Sequence, residues 1–206
     1  GKTTLKNLIT FSLKNYGKVY SSPHSYNNRF GVPLSLSNLK SNIDYGVFEI
    51  GMDKKGEIDS LSKIVKPEIA IITNISGAHF KNFNTLKDIA KAKAEIINNI
   101  SKDGNIILNR DSKFFSLLSN KAKKNGIKIT SFSLKKKSDI FLLGIKKIKK
   151  RFRLRINIRN KIFFFDTKYT TDNFVNNILA CISTMFALNL NLNKMKKIFT
   201  SFKIPE

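Results

Sequence analysis

The 206-residue chain has no tryptophan, only four prolines, and a single cysteine, Cys181. One cysteine excludes an internal disulfide framework and fits a reducing compartment. No apolar run approaches the roughly 18 to 20 residues that span a bilayer, and no signal peptide is recognisable, so a cytoplasmic protein without a membrane span is expected. Acidic residues are scarce as well: 14 Asp and Glu face 38 Lys and Arg, a formal charge of +24. Such an excess ordinarily points to nucleic acid or an anionic membrane. Here, however, Lys (32), Ile (27) and Asn (23) are inflated together. These residues share A/T-rich codons, and Ile and Asn do nothing for phosphate binding. Most of the charge therefore reads as base bias, and nucleic acid is not the expected partner. Core material is plentiful: 41% of residues are hydrophobic, including 17 Phe, enough for one generous domain. The chain opens on Gly1-Lys2-Thr3-Thr4 without a Met and stops at Ile204-Pro205-Glu206; both ends read as cut from something longer.

Apolar spacing predicts a first helix through Leu5, Leu8, Ile9 and Leu13, closed by Gly17, then a short strand at 18–21. A polar stretch runs from Ser22 to Gly31. Buried strands are expected at 45–50 and 68–75, with a helix at 58–65 between them. A long helix over 86–100, a strand at 106–108, a helix at 114–124 and a strand at 128–132 complete the alternation. This order predicts an α/β fold, a mostly parallel sheet with helices on both faces. From 140 to 166 three β-rich stretches suggest a small antiparallel appendage, bounded at about 139–168. Two helices follow, over 173–188 and 192–202. A single domain is expected throughout.

Gly1-Lys2-Thr3-Thr4 before a helix is the last half of a phosphate-binding loop. There, backbone N–H groups at the helix start cradle phosphates, Lys2 neutralises them, and the Thr3 hydroxyl reaches Mg²⁺. A chance tetrapeptide at a helix start would look the same. Glu49 ends a buried strand ahead of Gly51, where it serves either as a Mg²⁺ ligand or as a cap for the next turn. His79 follows Thr73-Asn74-Ile75-Ser76-Gly77-Ala78 at the same sheet edge, as a metal ligand or a surface residue. Lys93 lies in the inward stripe with Ile89, Ile96, Ile97 and Ile100. An inward lysine either snorkels to a rim or loses its charge, and a neutral amine can take up CO₂ as a carbamate, a carboxylate-like metal ligand. Asn177 sits near the small residues Ala180 and Cys181, which would leave room for a flat ligand such as adenine. The segment from Lys135 to Lys161 holds 12 Lys and Arg against Asp139 alone. Arg151, Arg153 and Arg155 alternate there with Phe152, Leu154 and Ile156, giving a polyanion patch or simply a solvated strand face.

In order and spacing, these blocks resemble the central ATP-binding domain of the Mur ligases. The resemblance runs through Asn27-Asn28-Arg29-Phe30-Gly31-Val32-Pro33-Leu34, Phe48-Glu49-Ile50-Gly51, Thr73-Asn74 to Ala78-His79, and Ile89 to Ile96. It continues through Leu108-Asn109-Arg110-Asp111 and Asn177-Ile178-Leu179-Ala180, and the NNxxGVP block favours the D-alanyl-D-alanine-adding branch. The resemblance implies ATP and two Mg²⁺ sites as cofactors. Gly1, Lys2, Thr3 and Thr4 would hold phosphates, with Asn74 and Asn177 also at the nucleotide. Thr3 and Glu49 would serve one metal, His79 and carbamylated Lys93 the other. Asn27 and Asn28 would lie near the substrate, a UDP-N-acetylmuramoyl-peptide, with D-alanyl-D-alanine as its partner and a monomer as the acting form. ATP would activate the peptide carboxylate as an acyl phosphate, and the amine would displace phosphate. The N-terminal UDP-sugar domain and the C-terminal domain are absent from these residues, so the 206-residue piece alone is expected to be inactive. Thr171-Asp172-Asn173-Phe174 replaces the family's Gly-x-His-Asn, implying an altered nucleotide pocket. Ser22-Pro23-His24 faintly matches the folylpolyglutamate synthases, another amide-ligase branch. A basic nucleic-acid-binding module is the rival from a different class, and a degenerate homologue with weak ATP binding is a third reading.

Overall fold

The computed structural model describes residues 1–75 and 82–204. Helix α1 (Lys2–Leu13) leads to β1 (Val19–Ser21), α2 (Gly31–Ser37), β2 (Tyr45–Val47), α3 (Glu57–Val65) and β3 (Ile69–Ile72). Then come α4 (Leu86–Lys93), β4 (Asn105–Asn109), α5 (Phe115–Lys124), β5 (Lys128–Ser133), β6 (Ile140–Ile148), β7 (Arg151–Ile158) and β8 (Lys161–Thr167). The chain continues through α6 (Asp172–Ala187) and α7 (Ile198–Ser201). β1 and β2 form a parallel pair, and the other six strands form one sheet in sequence order. Pairings from β3 to β6 are parallel, and those from β6 to β8 antiparallel.

The strands carry apolar residues on both faces because helices cover both. Ile106 and Leu108 of β4 pack with α3, α4 and α5, while Ile107 points the other way into the core built on α1 and α6. Small residues let those last two helices approach closely. Cys181 is fully buried against α1, with its sulfur 3.3 Å from the Ser12 hydroxyl. Burial pushes its thiol pKa up to about 12. Ala180 and Cys181 are thus packing residues, and they open no space for a flat ligand.

Two sequence expectations change. The helix expected over 86–100 is α-helical only to Lys93 and winds as a 3₁₀ helix over Ala94–Asn99. Ala94, Ile97 and Ile100 are the buried positions, the three-residue period of that tighter helix, so Ile96 turns partly outward. Residues 192–202 are not one helix but a 3₁₀ turn, Leu192–Met195, followed by α7. The small antiparallel appendage expected from the sequence is present as β6–β8, and it is joined to the main sheet, because Phe132 and Ser133 of β5 pair with Ile140 and Phe141. Helix α2 was not anticipated: it begins where the polar stretch ends, at Gly31, and the Asn28 side chain starts it by accepting from the Phe30 and Gly31 amides.

The parallel sheet is interrupted between β2 and β3, which do not pair. A cavity of about 540 Å³ separates them, walled by Leu5, Ile9 and Leu13 of α1 and by Ile69 and Ile71 of β3. One end of that cavity reaches Lys2, Glu49 and Lys93.

Candidate active site

Helix α1 begins at Gly1, which offers no side-chain oxygen to the first-turn amides; these are the groups a helix leaves for an anion. Two residues in, the Thr3 hydroxyl donates to Glu49 Oε2 at 2.9 Å. The other oxygen of the same carboxylate, Oε1, accepts from the Asn27 amide at 2.9 Å. Glu49 is only 6% exposed, so its charge is tolerable because both oxygens are bonded. Gly51 explains the close approach: a Cβ there would lie 3.0 Å from the Asn27 side chain, and its N–H donates to the Asn27 carbonyl at 2.7 Å. Three segments far apart in sequence therefore meet at one carboxylate.

Across the cavity stands Lys93, the last residue of α4, whose ammonium donates to the Asn74 carbonyl at 2.7 Å. Burial lowers its pKa to about 8, and the nearby Lys2 cation adds to the shift. Both effects favour the neutral amine relative to a fully solvated lysine. Lysine, carboxylate, hydroxyl and helix start together line the carboxyl edge of a parallel sheet, where ligands of α/β folds bind. The family model for the Mur ligase middle domain matches residues 1–185. The chain belongs to the Mur ligase family.

The Mur ligase relatives include UDP-N-acetylmuramoyl-tripeptide–D-alanyl-D-alanine ligases. That of Buchnera aphidicola subsp. Baizongia pistaciae is 34% identical over 198 residues, 95% of this chain and 42% of its own length. That of Rickettsia prowazekii is 34% identical over 181 residues, 86% of this chain and 40% of its own. Among solved structures, MurF from Acinetobacter baumannii superposes with a TM-score of 0.90 at 28% identity, over 98% of this chain and 44% of that one. The chain thus spans less than half the length of these relatives.

Not every residue singled out in the sequence reaches this Mur-type site. Gly1, Lys2, Thr3 and Thr4 share the start of α1, and Asn74 contributes its carbonyl beside Lys93. His79 lies outside the described residues. Asn27 faces Glu49, but the Asn28 side-chain oxygen is committed to the start of α2. Asn177 is half-buried on α6 and is not part of the cavity wall. Of the departing block, Phe174 is a core residue, edge-on to Tyr169 and stacked near Phe202, while Asn173 is exposed. Sequence reasoning missed Lys6. It is 5% exposed, and its ammonium donates to the Ser22 and His24 carbonyls. The signal was available, since Lys6 lies three and seven residues before Ile9 and Leu13 of the apolar stripe.

The basic segment behaves differently. Leu154 and Ile156 are fully buried and Arg155 faces outward, as the alternation predicted. Arg153 binds Asp166 through two nitrogens, at 2.8 and 3.1 Å, and Arg151 lies 3.3 Å from the same carboxylate. These contacts hold the Asp166 carboxyl below the usual range, chiefly through the Arg153 hydrogen bonds. Asp139, the lone acid of the segment, binds Arg159 at 2.9 Å and also receives the Ser131 amide and hydroxyl. Among the described residues, no helix is long and apolar enough to cross a membrane, and no trio of His, Cys, Asp or Glu forms a metal cage.

Proposed function

We propose that these residues are the nucleotide-binding domain of an ATP-dependent amide ligase of peptidoglycan precursor synthesis, one that joins D-alanyl-D-alanine to UDP-N-acetylmuramoyl-tripeptide. The observation that carries this reading is the Thr3–Glu49 pair at the start of α1, supported by relatives bearing that ligase name. The donor set fits Mg²⁺. Adjacent corners of an octahedron with 2.1 Å bonds are about 3.0 Å apart, and Thr3 Oγ1 and Glu49 Oε2 stand 2.9 Å apart. Both are hard oxygens, and Asn27 fixes the carboxylate's other oxygen so that only one is free to turn towards a cation.

In this reading Lys2, with the amides of Gly1, Thr3 and Thr4, holds the phosphates of ATP. When bound, Mg²⁺ would neutralise charge on the transferring phosphoryl group. The peptide carboxylate oxygen bonds to the γ-phosphorus as the bond to ADP breaks. The amine of D-alanyl-D-alanine then bonds to the acyl carbon, phosphate leaves, and the amine gives up its proton. Lys2 stabilises charge that grows in the transition state. Lys93, held on the Asn74 carbonyl and already poised to lose its proton, is the candidate for carbamylation and, with His79, for a second metal. Asn177 would contact the base, and Asn27 and Asn28 would border the muramoyl-peptide.

The test uses the complete reading frame that contains these residues. Phosphate release from Mg·ATP should require both UDP-N-acetylmuramoyl-tripeptide and D-alanyl-D-alanine, and should collapse in Lys93→Ala. Release that ignores both acceptors, or that follows a folate polyglutamate acceptor instead, would overturn the proposed substrates.

A further inference from the structure

Lys6 is the buried cation that the ligase reading leaves without a role. It lies one turn after Thr3 on α1, so the two side chains share a helix face. Lysine is almost never this buried unless paired, and no carboxylate lies within ion-pair distance of it among the described residues. Its partners are backbone oxygens: the Ser22 carbonyl at 2.7 Å and the His24 carbonyl. Both belong to the segment that joins β1 to α2. That segment touches the site at three further points. The Ser22 hydroxyl accepts from the Glu49 amide at 3.4 Å, the Asn27 carbonyl accepts from Gly51, and the Asn27 amide donates to Glu49 Oε1.

We propose that Lys6 is a positioning residue that clamps residues 22–28 to α1, keeping Asn27 on one oxygen of Glu49 and the other oxygen directed at Thr3. The Glu49 carboxylate is then held from both sides by the same helix face, directly through Thr3 and indirectly through Lys6 and Asn27. The geometry stands independently of the reaction; its catalytic consequence rests on the ligase reading. A four-carbon stem ending in several N–H donors suits the task, because it runs along the apolar cavity wall and still serves two carbonyls. A shorter or purely apolar side chain would leave both carbonyls unpartnered.

Two measurements on the complete reading frame decide it. Amide hydrogen exchange in Lys6→Met should quicken across 22–28 by about tenfold or more, with β4 and α5 unchanged, a local rather than global loosening. The Mg²⁺ concentration for half-maximal phosphate release should rise about tenfold, the scale of a lost hydrogen bond to a charged group. Asn27→Ala should do the same. The double variant should be no worse than Asn27→Ala alone, because both substitutions break one chain of contacts. Lys6→Arg, which keeps the donors, should recover most of the Mg²⁺ response; Lys6→Gln, too short to reach both carbonyls, replaces Lys6→Met if that variant fails to fold. Unchanged exchange at 22–28, or losses that multiply in the double variant, would overturn the clamp. A wild-type protein that shows the Lys6-dependent exchange but no acceptor-dependent phosphate release would remove the ligase reading and leave the clamp standing.

Discussion

The carboxyl edge of β2 and the β6–β8 strands differ in how they use charge. At the first, Thr3, Lys6, Asn27 and Glu49 come from three separated segments and bond to one another or to a shared loop. At the second, Lys and Arg are dense in sequence, yet the arginines that are held are tied to Asp166 or Asp139, and Arg155 faces solvent. A run of like charge records composition and spreads over a surface. A site needs unlike groups converging on a point, and convergence is costly unless each buried group has its partner.

Glu49→Gln cuts deepest into that comparison. It should lower phosphate release at least about a hundredfold, as losing a charge-stabilising group does, while circular dichroism melting changes little. A variant that still turns over would deny the first region its distinction.

Asp166→Ala tests the other region in the opposite sense. Turnover should hold, but denaturant titration should show a loss of about 1–2 kcal/mol, since two arginines lose a buried acceptor while staying half in water. Its carboxyl has a lowered pKa in the fold, so its contribution is present above the ordinary carboxylate pKa and is lost as pH falls through the folded value. The gap between wild type and variant should therefore close in acid.

Lys93 gives a smaller effect with a definite sign. Its folded pKa, about 8, lies below the ordinary lysine value of 10.5, so the unfolded chain binds more protons between those values. Stability should rise with pH through that window in the wild type relative to Lys93→Met, as read from paired melting curves at pH 7 to 10.5. Equal slopes would mean that the lysine is solvated.

The smallest expected change comes from replacing Lys146, Lys147 and Arg155 together with Ser. Turnover should stay within about twofold, and any DNA binding should be weak and vanish by roughly 200 mM salt. Tight binding lost in this variant would give β6–β8 a function of its own.

Much of the frame was legible in local pattern. β4 and β5 showed as short apolar runs, α5 and α6 as 3.6-residue periods, and β7 as strict alternation of Arg with apolar residues. Lys93 was readable because a lysine in an apolar stripe is locally odd. The 3₁₀ turn at Ala94–Asn99 was not, since Ile96 and Ile97 satisfy a helical stripe equally well. Glu95 accepts from the Gly56 and Asp59 amides, docking that turn on the start of α3, a contact 36 to 39 residues distant. The start of α2 was hidden for a related reason: Asn28 stands in a motif, and a motif residue can serve the fold, here by starting a helix, as well as a ligand.

By itself the sequence determined the alternation of strand and helix, the membership in the Mur ligases, and the half-loop Gly1-Lys2-Thr3-Thr4 at a helix start. These are local or ordered along the chain, so periodicity and motif suffice to read them. Only the tertiary structure decided that β2 and β3 stand apart around a cavity, that β6–β8 extend the main sheet, and that Asn27 and Thr3 share Glu49. Each of those depends on which edge or side chain arrives beside another after separate segments have packed, and no local spacing encodes that arrival.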